Sequence, residues 1–328
     1  PERTKLPFAV SIREAEVAEL LLISGDQTYQ LNQVKFALDA DTQTIHIKQL
    51  RANTPWGETH LRLDVNTLKP FALSGEASLK QSTGDVPFDV FTQFSGDLNH
   101  LNFASMGMLV KQDGKFAFYQ QSQQTVAPAA LVEVNGQLDL TGNYPLAVRA
   151  NISQLNPERL GNLPAAMLNF DVDLQGTLLP NANIDIAFKS RDSLWQKQPF
   201  TATGKFSIAA EKIRDFNLEA ALGNNHLKAN GILNEMASRI EWQANLMDIS
   251  KLGQGYSGTL LADGVVEGTV KDLFAAEKNQ FSLALNLAGE KLSFPQGLKI
   301  AQLNGQATMM PEANGTVTAD FKANGLQY

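Results

Sequence analysis

Gly253-Gln254-Gly255-Tyr256-Ser257-Gly258 matches the GxGxxG phosphate cradle letter for letter. That loop binds a dinucleotide when a strand precedes it and a helix follows, because the helix N-terminus faces the pyrophosphate. "TLLADGVVEGTV" follows here and reads as strand, so the expectation is a glycine-rich turn. Four histidines, His46, His60, His100 and His226, offer imidazoles, but none has an HExxH setting or an i, i+4 partner. His46 stands between Ile45 and Ile47 in an alternating run, the position of a strand-face histidine. A serine nucleophile needs a GxSxG elbow, and Gly255-Tyr256-Ser257-Gly258 lacks the last spacing. Carboxylates occur singly on polar strand faces, with no privileged pair for glycoside chemistry. "DADTQT" lacks the glycine and terminal glutamate of a calcium loop. Trp56, Trp195 and Trp242 stand apart, as packing residues do. The expectation is no enzyme, no cofactor and no metal.

The totals narrow the classes further. The 328 residues carry a net charge of −7, with 43% apolar and 19% charged side chains. No basic stripe appears, so nucleic acid is not an expected partner. Absence of cysteine excludes thiol catalysis, thiolate metal sites and disulfides. No apolar run reaches the roughly 18 residues that span a bilayer. The opening "PERTKLPFAV" and the close "FKANGLQY" read as a segment of a longer chain.

What remains unusual is the patterning that would position any site. In Val132–Leu160, Val134, Gly136, Leu138 and Leu140 point one way, and Glu133, Asn135, Gln137 and Asp139 the other. After a turn at Gly142–Pro145, Leu146, Val148, Ala150 and Ile152 repeat the pattern. Leu61-x-Leu63-x-Val65, Phe170-x-Val172-x-Leu174, Ile184-x-Ile186-x-Phe188, Phe206-x-Ile208 and Phe281-x-Leu283-x-Leu285-x-Leu287 do the same. Period-two alternation is the mark of antiparallel strands with one wet face. Gly, Asn, Asp and Pro clusters punctuate it every 6–10 residues. Ile12–Ile23 has the Ala, Glu and Leu of a helix, but its flank Phe8-x-Val10-x-Ile12 alternates, so strand is the expectation; "LNPERL" and "DISKL" read as single helical turns capped by Asn156 and Asp248.

The chain also repeats loosely. Asn135-Gly136-x-Leu138 recurs as Asn230-Gly231-x-Leu233, "RANISQL" from Arg149 as "QANLMDI" from Gln243, and "QGTLL" from Gln175 as "EGTVK" from Glu267, at offsets of 95, 94 and 92. A fainter copy begins at Arg62. The expected organisation is one continuous segment over 1–328, with units near 45–130, 131–225 and 226–328. At roughly 12 residues per strand and turn the chain gives about 25 strands, some 120 Å of sheet. Open sheets of that size curl or split. The expected fold is therefore all-β: an elongated, curled antiparallel or mixed sheet, a β-groove with an apolar interior and very little helix. So large an apolar face would normally need an apolar occupant.

"FNLEAALGNNHLKANGILNEMASRIEWQANLMDISKLGQGYSGTLLADGVVEGTVKDL", Phe216 to Leu273, resembles the TamB family of the AsmA-like group. Asn225, Leu227, Gly231 and Leu233 match the first half of the family pattern G-N-x-L-x-x-x-G-x-L, with Gly223 one residue ahead of its glycine. Leu252, Gly258, Leu260, Gly264 and Gly268 match its second half, G-x-L-x-x-x-G-x-x-x-G after D-I-x-x-L. "LPFAVSIREAEVAELLL" looks like the region following that family's membrane anchor. The resemblance implies a periplasmic protein of a diderm bacterium, anchored in the inner membrane. It also implies a groove that conducts phospholipids toward the outer membrane, with the barrel protein TamA as partner through a region outside this segment.

On this view the candidate lipid-binding residues are Leu138, Leu140, Val148, Ile152, Ile184, Ile186, Phe206, Ile208, Leu227, Phe281, Leu283 and Leu285. Plain β-core packing is the alternative for each. Two other functions compete: a scaffold that templates outer-membrane strands by β-augmentation, and a surface passenger with a packed core.

Overall fold

The computed structural model describes residues 8–24, 27–81, 88–112, 115–119, 128–159, 163–209, 212–234, 237–268, 281–295, 297–310 and 316–327. The protein is nearly all β. No α-helix occurs among these residues, and two 3-10 turns lie at Pro157–Arg159 and Ile249–Lys251, where single helical turns are expected from the sequence. The chain divides into two units, 1–161 and 162–328.

The first unit carries β1 (Val10–Ser24), β2 (Gln27–Ala40), β3 (Thr44–Thr54), β4 (Gly57–Asn66), β5 (Leu73–Gln81), β6 (Phe88–Gly96), β7 (His100–Gln112), β8 (Lys115–Tyr119), β9 (Ala130–Asp139) and β10 (Pro145–Leu155). Each strand pairs antiparallel with the next, except that β7 takes both β8 and β9. One parallel bridge joins Phe88 of β6 to Phe118 of β8.

The second unit carries β11 (Ala166–Thr177), β12 (Asn183–Ser190), β13 (Ser193–Trp195), β14 (Gln198–Ala209), β15 (Lys212–Leu222), β16 (Asn225–Leu233), β17 (Ser238–Leu246), β18 (Ser257–Gly268), β19 (Ser282–Ser293), β20 (Lys299–Met310) and β21 (Thr316–Asn324). It is an antiparallel meander with the short β13 spliced between β11 and β14.

Among the described residues there are 21 strands, longer than the sequence suggests, the longest of 15 residues. Bulges are the reason. Alternation slips between Ile47 and Leu50, between Ile12 and Ala15 and between Ile213 and Phe216, yet the strand runs on through each. A bulge inserts one residue, bends the strand and increases its twist, so these sites also supply curvature. Asp215, at the last of them, adopts a left-handed φ of 51°.

Tight turns close several hairpins with a carboxylate that accepts backbone N–H groups. Asp41 Oδ1 accepts from Gln43 N at 2.7 Å and Thr44 N at 2.8 Å; Asp97 Oδ1 accepts from Asn99 N at 2.7 Å and His100 N at 2.9 Å. Asp248 caps its 3-10 turn through the Ser250 hydroxyl at 2.5 Å and the Ser250 N–H at 3.1 Å. These bonds hold all three carboxyls below the ordinary carboxylate range. A depressed folded-state value means stabilisation that is present above the unfolded value, near 4, and lost as pH falls through the folded one. The melting temperature is therefore expected to be level from neutral pH to about pH 5 and to fall below about pH 4. Combined Asp41→Asn, Asp97→Asn and Asp248→Asn substitutions should flatten that acid limb. A limb of unchanged slope would remove these turns from the account.

Candidate functional site: an apolar face in each unit

Directly opposed residues of antiparallel strands share a face, so the registers can be followed across each sheet. In the first unit one row runs Ile12, Leu38, Ile47, Leu63, Gly75, Phe94, Phe103, Gly136, Val148. The row beside it, on the other face, runs Ser11, Asp39, His46, Asp64, Ser74, Ser95, Asn102, Gln137. In the second unit Val172, Phe188, Gly204, Leu218, Ala229, Trp242, Gly264, Leu285, Ala307 and Ala319 form one row. The opposite face there carries Asp171, Lys189, Thr203, Glu219, Lys228, Gln243, Asp263, Asn286, Gln306 and Asp320. Segregation is complete along both rows.

Ten of the twelve candidate lining residues lie in strands on these faces. Leu138 stands between Leu101 and Leu146, Val148 against Gly136 and Ile152 against Val132. Ile184 opposes Ile208, and Ile186 opposes Phe206. Leu227 stands between Ala220 and Ala244, Leu283 between Val266 and Met309, and Leu285 between Gly264 and Ala307. Leu140 lies just beyond β9, its N–H donated to the Asn99 carbonyl, and Phe281 just ahead of β19. Leu140 and Leu227 are each 37% exposed.

Coverage of these faces is partial. Leu63, Phe94 and Val148 in one unit, and Leu218, Trp242 and Leu285 in the other, are half-buried, while their polar neighbours are mostly exposed. A face sealed by a second sheet would bury such side chains almost completely. Full burial is reached at scattered positions, such as Met108 and Val110 in the first unit and Leu168 and Leu222 in the second, and as a cluster at one rim of the second unit. There Ile249, Leu292 and Ile300 pack with Leu246, Leu260, Phe294, Leu298 and Leu303 beneath the 3-10 turn. Asn225, 2% exposed, ties that turn down: its Nδ2 donates to the Asp248 carbonyl at 2.7 Å and its Oδ1 accepts from Asp248 N–H at 2.9 Å. The sequence pattern contains Asn225 but gives no hint of this partner, 23 residues away.

The polar faces offer little chemistry. His46 Nδ1 lies 2.6 Å from Asp64 Oδ1, His60 Nε2 lies 2.9 Å from Glu58 Oε1, and His100 lies between Asp97 and Asp139. These are exposed strand-face pairs; the His60 contact holds the Glu58 carboxyl below its ordinary range. A hollow of about 590 Å³ on the second unit includes Glu219, Lys228, Glu241 and Asp263, and Lys228 is already paired with Glu219 at 2.9 Å. No cluster of three metal-ligating side chains occurs among the described residues. Gly253–Gly258 forms a turn that runs into β18, not a helix, so no phosphate cradle is built. Its glycines answer backbone needs, with φ of 83° at Gly255 and 108° at Gly258.

Residues 192–328 match the family model described as TamB, N-terminal domain. Neither a curated protein nor a solved structure matches the chain.

Proposed function

We propose, from the match of residues 192–328 to the TamB N-terminal domain, that the apolar sheet faces bind phospholipid acyl chains and pass them along a groove. The resemblance to that family implies an envelope-associated role in transport or assembly, with TamA as the general partner. The finer assignment is a segment of a periplasmic bridge between inner and outer membranes of a diderm bacterium. The observation that carries it is the unbroken apolar row in each unit, left half-buried by the protein's own side chains.

Each methylene moved from water onto such a face contributes about 0.8 kcal/mol, so lipid binds wherever the floor is apolar. Headgroups stay in water at the seam. Similar lining from strand to strand avoids any one deep trap, which is the condition for movement. The Leu, Ile, Val and Phe residues on these faces are the proposed lining.

The test is native mass spectrometry on the purified chain, prepared without detergent and with lipid extraction in parallel. Several phospholipids per chain are expected. A lipid-free mass, with no uptake of an added fluorescent phospholipid, would overturn the conduit.

A second reading is assembly by strand addition. The outer edges of β1 and β21 have no partner among the described strands, and β21 exposes Val317 and Phe321. Binding of unfolded barrel peptides by lipid-free protein would favour it.

A further inference from the structure

Several glycines on the apolar faces are not explained by backbone conformation. Gly136 and Gly204 lie inside β9 and β14 and are absent from the positive-φ glycines, so an L-residue could adopt their backbone. Mid-strand glycine weakens a sheet, so its presence asks for another cause. That cause is space. A Cβ built on Gly136 would lie 2.3 Å from Cζ of Phe103, and its three nearest atoms all belong to that ring. A Cβ on Gly204 would lie 2.3 Å from Cε1 and 2.4 Å from Cζ of Phe188. Phe103 and Phe188 are the residues directly opposite on the neighbouring strands. Each ring therefore lies across the next strand, over the glycine, instead of standing away from the sheet. The arrangement recurs at Gly75 under Phe94 and at Gly264 under Trp242.

We propose that these glycines are clearance residues, setting the height of the groove floor. This rests on the acyl-chain function above. A ring laid on a glycine adds apolar surface at little height, so an acyl chain can pass over it. With a methyl in its seat the same ring must lift into the path. The floor is then matched to slender, flexible chains by glycine–aromatic pairs, and not by small side chains alone. Cross-strand aromatic–glycine contact also stabilises sheets, and the experiment separates the two roles.

Gly136 and Gly204 are the sites to test, because the atoms in closest conflict are the far ends of side chains that can turn. At Gly204 the next atom, the Asn217 carbonyl oxygen at 3.1 Å, needs only a slight adjustment. Gly75 and Gly264 are unsuitable, since a Cβ there meets backbone oxygens at 2.2 Å and 2.4 Å. The full chain is titrated with cis-parinaric acid, a fluorescent single acyl chain. The Gly136→Ala/Gly204→Ala variant should bind about tenfold more weakly, the equivalent of a few lost methylene contacts. Its circular dichroism and melting temperature should stay those of the starting protein. Adding Phe103→Leu and Phe188→Leu removes the lifted rings and should restore binding to within about twofold, a difference well under the 1.4 kcal/mol that a tenfold change represents. Undiminished binding by the alanine variant, or a loss that the leucines do not restore, overturns the clearance role and leaves the conduit standing. No binding by the starting protein overturns the conduit itself, and the clearance role with it.

Discussion

A Leu283→Asp substitution is expected to empty the groove of the second unit around β18–β20 while leaving the sheet folded. Leu283 stands between Val266 and Met309 on the apolar face and is only half-buried. The carboxylate can therefore reach water when the groove is empty, and the ladder bonds of β19 are backbone bonds that the substitution does not touch. An acyl chain laid over it would have to desolvate the charge without a partner, at a cost of several kcal/mol. At 1.4 kcal/mol per factor of ten, local occupancy falls by about a hundredfold or more. The control is the next residue. Ala284 is exposed on the opposite face, between Val265 and Thr308. Ala284→Asp therefore adds the same charge to the same strand outside the groove. Lipids counted per chain by native mass spectrometry should drop for Leu283→Asp and hold for Ala284→Asp. Undiminished counts in both variants would remove Leu283 from the lining. An equal fall in both would point to a general effect of charge and not to a groove.

The face on which that prediction depends was legible in the sequence, because a strand's side-chain period is a local property. Val134, Gly136 and Leu138 opposite Glu133, Asn135 and Gln137 could be read from a dozen residues, and so could the two capped turns. The continuity of a row could not, because it depends on register. Register here is shifted by bulges such as that between Ile47 and Leu50, where lost alternation imitates the end of a strand. That is why the strands run longer than the turn spacing suggests. The glycine seats were hidden for the same reason: Gly136 reads as one more small apolar residue until β7 sets Phe103 against it. Leu140 has the right parity for the lining, but the strand ends one residue before it. The turn at Gly253–Gly258 runs into strand, as the alternation after it suggests. Alternation supplied the surface, the partial burial left it uncovered, and the family narrowed the class of function.

Asn225 is the polar side chain on which the rim of the second unit most depends. Replacing it with leucine should cost about 2–4 kcal/mol. It stands on the apolar side in a row between Leu222 and Leu246, where leucine would be the expected residue by pattern. Its amide instead imitates the next rung of a ladder, donating to one backbone group of Asp248 and accepting from the other. Those two bonds hold the 3-10 turn at Ile249–Lys251 down on Leu292 and Ile300. Asn225→Leu leaves the Asp248 N–H and carbonyl without this partner, at about 1–3 kcal/mol for each group, partly offset by the leucine's own burial. For a body of this size the expected fall in melting temperature is roughly 4–16 °C. Asn225→Asp separates hydrogen bonding from packing, since it keeps the shape. As a carboxylate it can accept from the Asp248 N–H but meets the Asp248 carbonyl with like polarity, and it is buried, so its folded-state pKa is raised. Protonated, it can donate to that carbonyl. Its contribution is therefore present below the unfolded carboxyl value, near 4, and lost as pH rises through the raised folded value. Relative to the starting protein at each pH, Asn225→Asp should be least destabilised in acid. Asn225→Leu melting within a degree of the starting protein, or a deficit in Asn225→Asp that does not change with pH, would mean that the turn is held by its apolar contacts alone.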